Sequence, residues 1–322
     1  MRNGPKKIGP FFLIIFAFYL VKNILTNKQQ SFILLKKNIF NMDKRKDVQI
    51  FSLCYAKKDW DFLDDAVITP IQCGASNGTD VCELKDNTLD NISGGNFFYV
   101  ENTGIYWIWK NVKDAKYKGQ MQYRRPLSGI NETTDFEKIF EDYDVITCKP
   151  FNHVENSKPT ENNKSYIPAT TVEGGYAFSN CGSDIKTLEY VIKQLYPEYV
   201  DDYVKYIKEG ADLYYSNGFI MKSEDYDKYC DFLFNCLNGW LQITGINNQF
   251  DLWVHVARDL GAGKYIRFKN PYEVSTDSVM WETKIGGFLS ERIWTLWLLH
   301  NFKKERIYEC EYIKMEPEKM YT

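Results

Sequence analysis

Residues 117–125 read Tyr-Lys-Gly-Gln-Met-Gln-Tyr-Arg-Arg, and no other stretch constrains the fold as much. Alternation along an extended segment sends Gln122 and Arg124 to one face and Met121, Tyr123 and Arg125 to the other. Two adjacent guanidinium groups are costly to bury, so the strand has to stop at a solvent-facing edge, and Pro126 helps to end it. Open α/β sheets bind ligands beyond the carboxyl ends of their strands, where paired arginines can grip a diphosphate bidentately. A plain surface arginine pair satisfies the same spacing.

The elements around this strand alternate in type. Val48–Tyr55 is a short apolar run of β-branched and aromatic residues, the pattern of a buried strand. Within residues 99–112, Ile105, Ile108, Trp109 and Val112 recur at the spacing of an amphipathic helix. Further strands are expected over Tyr143–Cys148, Leu213–Lys222 and Arg306–Met315. Helices are expected over Gly182–Tyr196, Tyr199–Lys208, a segment capped by Ser223, and Gly287–Asn301. Residues 149–168 have the composition of a long surface loop, and residues 239–286 show an irregular pattern. Alternating strands and helices over this length predict an α/β fold with a mixed central sheet flanked by helices.

A chain of 322 residues suffices for a large α/β domain or for two smaller ones sharing a cleft. The globular pattern occupies residues 47–322. Residues 1–46 stand apart: Phe11–Val21 is an unbroken apolar run, short for a membrane span, and its downstream flank is the more basic. It is read either as an anchor that leaves the domain in the cytoplasm or as sequence upstream of a true start at Met42. Both readings give a cytoplasmic domain, with the anchor placing it at the inner membrane.

With 40 basic and 43 acidic residues the chain lacks the electrostatic footprint of a nucleic-acid binder. The eight cysteines form no CxxC pair and only three histidines are present, which argues against structural zinc and suits reduced thiols. Aromatic residues make up 16% of the chain, a surplus that either a sugar-stacking site or a dense core explains.

Two further segments carry candidate chemistry. In residues 214–222, Asn217-Gly218 interrupts an apolar strand, as a ligand contact or a bulge would, and an Asn side chain can bind sugar hydroxyls with donor and acceptor alike. In residues 286–292, a Gly pair leads into a helix bearing Ser290, Glu291 and Arg292. Glu291 suits either a first-turn dipole charge or a general base toward an acceptor hydroxyl. Asp142-Tyr143-Asp144 and Asp225-Tyr226-Asp227 are the near matches to a metal-holding Asp-x-Asp. The first precedes its strand and the second opens a helix, so neither supports Mg²⁺ or Mn²⁺ binding, and metal dependence stays open. The histidines have no triad partners, and no phosphate-binding Gly-rich loop is present.

In order, Asn91-Ile92-Ser93, residues 101–111 (ENTGIYWIWKN), residues 122–125 (QYRR), residues 217–222 (NGFIMK) and residues 287–292 (GFLSER) resemble a known family. It is a capsular-polysaccharide and lipopolysaccharide glycosyltransferase family, long catalogued as a domain of unknown function, with YWIWKN, HYRR, NMFIM-like and GFxxER blocks. The resemblance spans residues 47–315. It implies a GT-A-like fold and transfer of a sugar from a nucleotide-sugar donor, a UDP-sugar first among them, to a glycan or lipid-linked acceptor. On that basis Glu291 and Arg125 are the expected catalytic residues, and Arg124, Gln122, Tyr123, Asn217, Lys110, Asn111 and Arg292 the expected substrate-binding ones. Tyr106, Trp107 and Trp109 are expected to pack their helix against the sheet. The chain departs from the family at Gln122, where His is usual, and at Gly218. A non-catalytic carbohydrate-binding or assembly subunit is the alternative that the Gln122 change leaves open.

Overall fold

The computed structural model describes residues 47–55, 67–78, 80–157, 169–264 and 276–313. The N-terminal apolar run, most of the expected surface loop and the end of the expected last strand lie outside them.

Eight strands are described: β1 (Val48–Cys54), β2 (Ile68–Gln72), β3 (Tyr117–Gln122), β4 (Val145–Cys148), β5 (Phe151–Asn152), β6 (Asp212–Leu213), β7 (Phe219–Lys222) and β8 (Ile307–Cys310). Six form a mixed sheet in the order β2-β1-β3-β7-β4-β8, while β5 and β6 make a separate two-stranded ribbon. β1 runs parallel to β2 and β3, and β4 runs parallel to β8. β7 is inserted antiparallel between β3 and β4.

β1 is buried on both faces except at Gln49, as a near-continuous apolar run predicts for an inner parallel strand. β2 was not legible as a strand, because Pro70 lies in it. An edge position tolerates the missing N–H. At the β3–β7 junction a Cβ on Gly119 would stand 2.8 Å from the Phe219 carbonyl oxygen, so the close pairing of these two strands requires glycine there.

The main helices are α1 (Asn102–Asn111), α2 (Phe136–Asp142), α3 (Val172–Ser179), α4 (Gly182–Leu195), α5 (Ser223–Thr244), α6 (Gln249–Gly261), α7 (Thr276–Glu282) and α8 (Ile285–Asn301). Val48 and Ile50 of β1 share a core with Phe136 and Phe140 of α2. On the opposite face Phe51 meets Trp107 of α1 edge-on, with centroids 6.3 Å apart, and Phe219 stacks on Trp294 of α8 at 4.0 Å. Helices therefore cover both sheet faces. Trp107, Trp240 and Trp294 are fully buried, so much of the aromatic surplus is core.

Several expectations need correction. Residues 239–286 contain the end of α5, all of α6 and all of α7 instead of an irregular stretch. The expected strand over Leu213–Lys222 is two short strands in different sheets. Ser223 does not cap α5: it is the first helical residue, and its Oγ donates to Ala115 O at 2.5 Å. Past Tyr203, the expected helix over Tyr199–Lys208 widens into a π turn, Val204–Lys208.

Candidate functional site at the carboxyl edge of the sheet

The strand directions bring the carboxyl ends of β1, β2, β3, β4 and β8 and the amino end of β7 to one edge. The turn entering β7 therefore faces the ends of its parallel neighbours. In that turn Ser216 and Asn217 both have positive φ, 63° and 49°. Asn tolerates this conformation better than most residues, but Ser216 needs outside support. Its N–H donates to Glu291 Oε1 at 2.8 Å, and its hydroxyl pairs with the Tyr312 hydroxyl. Thr147 Oγ1 of β4 donates to Gly218 O at 2.8 Å. Asn217 Nδ2 donates to Ser290 Oγ at 2.8 Å and reaches Glu101 Oε1 at 3.4 Å. Asn217 is fully buried, and its Oδ1 has no hydrogen-bond partner among the described residues.

Glu291 belongs to the first turns of α8. While Oε1 holds the Ser216 turn, Oε2 accepts from Arg292 Nη1 at 2.9 Å, and the same nitrogen donates to Phe288 O at 2.9 Å. The Arg292 guanidinium lies 5.0 Å from the Tyr176 ring centroid and is buried. Both Glu291 oxygens are thus engaged in holding backbone and cation.

Glu101 occupies the position just before α1 but makes no capping bond. Its Oε1 instead accepts from Gln122 Nε2 at 3.1 Å, at the end of β3, and from Asn217. Burial pushes the Glu101 carboxyl above its usual range, and the Glu291 charge adds to the effect. A buried carboxylate therefore sits between the last residue of β3 and the turn entering β7.

Beyond β3 the chain turns back on itself, with Arg125 N donating to Gln122 O at 2.9 Å. Arg124 extends over the Tyr123 ring at 5.1 Å and Arg125 over the Tyr215 ring at 5.0 Å, and both arginines are exposed. Lys284, just before α8, is half-buried. Burial holds its ammonium below the usual lysine range, the Arg124 charge lowers it further, and Glu101 opposes both. Lys284 thus lies within electrostatic reach of both Glu101 and Arg124, with Arg125 on the same turn over Tyr215.

The sequence-derived site residues divide accordingly. Gln122, Asn217, Glu291 and Arg292 lie in one network with Glu101, and Arg124 and Arg125 stand at its rim. Tyr123 points into the core shared by β1 and α2. Lys110 and Asn111 are not with the others. The start of α1 packs on the ends of β1 and β2, through Gly104 against Leu53 and Cys73, and the helix runs about 15 Å to its other end. There Lys110 covers the Trp109 ring at 3.3 Å, and Asn111 Nδ2 donates to Asp90 O at 2.8 Å. The Asp-x-Asp pairs also lie at the amino ends of strands. Asp144 pairs with Arg306 at 2.6 Å, and Asp227 with the buried Lys118 at 2.6 Å.

Sequence reasoning missed Glu101, Ser216 and Lys284 as site residues, and named Ser290 only beside Glu291 and Arg292. Glu101 opens the ENTGIYWIWKN block, where a carboxylate before a helix reads as a dipole charge. Its signal lay in the distant Gln122 and Asn217. A cleft of about 660 Å³ lined by Tyr206, Asp212, Tyr214, His300 and Lys304 opens at the far end of α8, roughly 14 Å along that helix from Glu291.

A family profile described as domain of unknown function DUF4422 matches residues 51–252. The chain belongs to that family. The match takes in Glu101, the Gln122–Arg125 turn and Asn217, and stops short of α8. The structure is also similar to that of the bifunctional glycosyltransferase WbbM in its apo form, with a TM-score of 0.57 and 22% identity over 83% of this chain. This chain spans 45% of that longer one. At such identity the likeness speaks for the fold: an α/β architecture with a six-stranded mixed sheet, similar to that of a glycosyltransferase. No curated protein matches the chain. Among the described residues no helix is long and apolar enough to cross a membrane.

Proposed function

We propose that this family member is a glycosyltransferase that moves a sugar from a nucleotide-sugar donor, a UDP-sugar, to a glycan or lipid-linked acceptor in surface-polysaccharide synthesis. The observation that carries the reading is the placement of Lys284 near Arg124 and Glu101, with Arg125 on the adjoining turn, beside the buried Glu101–Asn217 pair at the carboxyl edge of a glycosyltransferase-like sheet. The three cations neutralise the donor diphosphate, whose negative charge grows as the leaving group departs. Asn217 Oδ1, an acceptor without a partner among the described residues, takes a donor-sugar hydroxyl. Glu101 is the general base toward the acceptor hydroxyl, because a carboxylate with a raised pKa is the better proton acceptor. Glu291 and Arg292 position the Asn217 turn. A cytoplasmic setting fits eight cysteines that form no disulfide.

The test is a screen of nucleotide-sugar donors by thermal shift, with and without Mn²⁺, followed by assay of nucleotide diphosphate release with a lipid-linked acceptor. A UDP-sugar is expected to raise the melting temperature and to be consumed. A second reading, a non-catalytic carbohydrate-binding subunit, is favoured by Gln122 standing where the family carries His. It predicts donor or glycan binding without release of nucleotide diphosphate.

A further inference from the structure

Away from the sheet edge, Cys181 precedes the first turn of α4 and Asp184 lies in that turn, while His255 and Asp259, four residues apart, share one face of α6. The two helices bring Cys181 Sγ and one carboxylate oxygen each of Asp184 and Asp259 within 4.8 Å of one another, with all three residues buried. His255 Nε2 is 3.3 Å from Asp184 Oδ1 and 3.8 Å from Asp259 Oδ2, and Cys181 Sγ is 3.5 Å from the same Asp259 oxygen. Tetrahedral coordination with bonds of about 2.0–2.3 Å sets neighbouring ligand atoms roughly 3.3–3.6 Å apart. Three of the spacings in this cluster already approach that range.

The charge arrangement points the same way. Lys264 and Arg258 pair with Asp259 at Oδ1, at 2.9 and 3.2 Å, leaving Oδ2 turned toward the cluster. Asp184 has a side chain only 2% exposed; its Oδ1 meets the His255 ring, and its Oδ2 has no hydrogen-bond partner among the described residues. A buried carboxylate oxygen without a donor is costly and marks a missing partner.

We propose that Cys181, Asp184, His255 and Asp259 form a site for a zinc-class divalent ion that ties α4 to α6. A thiolate, an imidazole nitrogen and two carboxylate oxygens are a ligand set suited to Zn²⁺ and poor for Mg²⁺ or Ca²⁺, which take oxygen ligands. Binding releases the Cys181 thiol proton to solvent. The His255 ring proton moves to Nδ1, freeing the Nε2 lone pair, and Arg258 Nη2, 3.1 Å from Nδ1 in this structure, turns away. The spacing is Cys-x2-Asp with His-x3-Asp, so a search for paired cysteines passes over it. The site also braces a wall of the molecule: Trp240 Nε1 donates to Asp184 O at 3.0 Å, and the Trp240 ring stacks on Phe98 at 5.3 Å, three residues before Glu101.

The experiment uses the full chain, desalted and analysed for metal, then titrated with Zn²⁺ against a chromophoric chelator and loaded with Co²⁺. The expected results are about one zinc per chain, a rise in melting temperature on adding Zn²⁺, and a thiolate-to-cobalt charge-transfer absorption. Cys181→Ser should abolish that absorption, whereas Cys236→Ser, at a buried thiol in α5, should leave it intact. Asp184→Asn should weaken zinc binding by at least about tenfold. A wild-type chain that neither retains zinc nor responds to it in melting overturns the proposal, as does a cobalt spectrum unchanged by Cys181→Ser. Circular dichroism of each variant separates loss of metal from loss of fold.

Discussion

Gln122 donates from the end of β3 to the buried carboxylate of Glu101 at 3.1 Å, tying a strand end to the start of a helix 21 residues away. The pattern that this chain resembles has histidine at this position, and in this chain Gln122 supplies a donor to Glu101 there. Glutamine keeps the hydrogen bond and gives up the titratable proton. With Glu101 as the base, Glu101→Gln lowers turnover by about 100-fold or more with donor affinity retained, measured by diphosphate release and calorimetry. Gln122→His preserves activity and Gln122→Ala reduces it. An active Glu101→Gln enzyme would move the base elsewhere.

The arginine turn makes a binding prediction. Replacing Arg124 or Arg125 by Ala removes a charge-assisted contact to the diphosphate, roughly 1.5–3 kcal/mol, and weakens UDP-sugar affinity by about one to two orders of magnitude. Both side chains are exposed, so the melting temperature stays unchanged. Calorimetry that finds undiminished affinity takes the residue out of the site.

The turn entering β7 separates backbone from side-chain roles. Asn217→Gly relieves the left-handed conformation while deleting the amide, so its effect falls on donor binding. Asn217→Val forces a β-branched residue to φ 49° and costs about 1–3 kcal/mol of stability. Urea denaturation of both variants checks the order, and equal destabilisation would show that the backbone is not under constraint.

His153 provides a pH signature. Burial lowers its imidazole from 6.5 to about 4, with Arg292 adding to the effect, and neither ring nitrogen has a hydrogen-bond partner among the described residues. The unfolded chain therefore binds more protons between those values. The contribution is complete above about pH 6.5 and is lost as pH falls toward 4. Unfolding measured across that window should steepen in the wild type relative to His153→Leu. Parallel curves for the two proteins would contradict the assignment.

Much of the framework was legible because its residues carry their own pattern. β1 and β3 announce themselves by apolar runs and alternation, and α8 by its Gly pair and apolar length. What was not legible depends on partners distant in sequence. β2 contains a proline that only an edge position excuses. α6 was hidden because much of its surface is open: Phe250 and Val254 are exposed apolar residues that blur its amphipathic period. Residues 213–222 look like one strand, and only the positive φ of Ser216 and Asn217 breaks them. At the site, arginines at a strand end could be placed from sequence, whereas Glu101 could not, since its role exists only once β3 and β7 lie side by side. Lys110 and Asn111 failed for a simpler reason: sharing a sequence block with Glu101 does not offset the length of a helix.

The central position of β7 has a consequence for the chain as it emerges during synthesis. β3 is complete at residue 122 and β4 at residue 148, yet the strand that joins them begins only at Phe219. Until then β3 has one unpaired edge of N–H and C=O groups and β4 has two, since its other neighbour, β8, begins only at Ile307, and the seam between β3 and β4 stays open. Closing it is a long-range event, of the kind that slows folding and exposes strand edges to other chains. The turn at Ser216–Asn217 leads directly into this keystone strand, so the segment that brings Asn217 to the candidate site is also the one that joins β3 to β4.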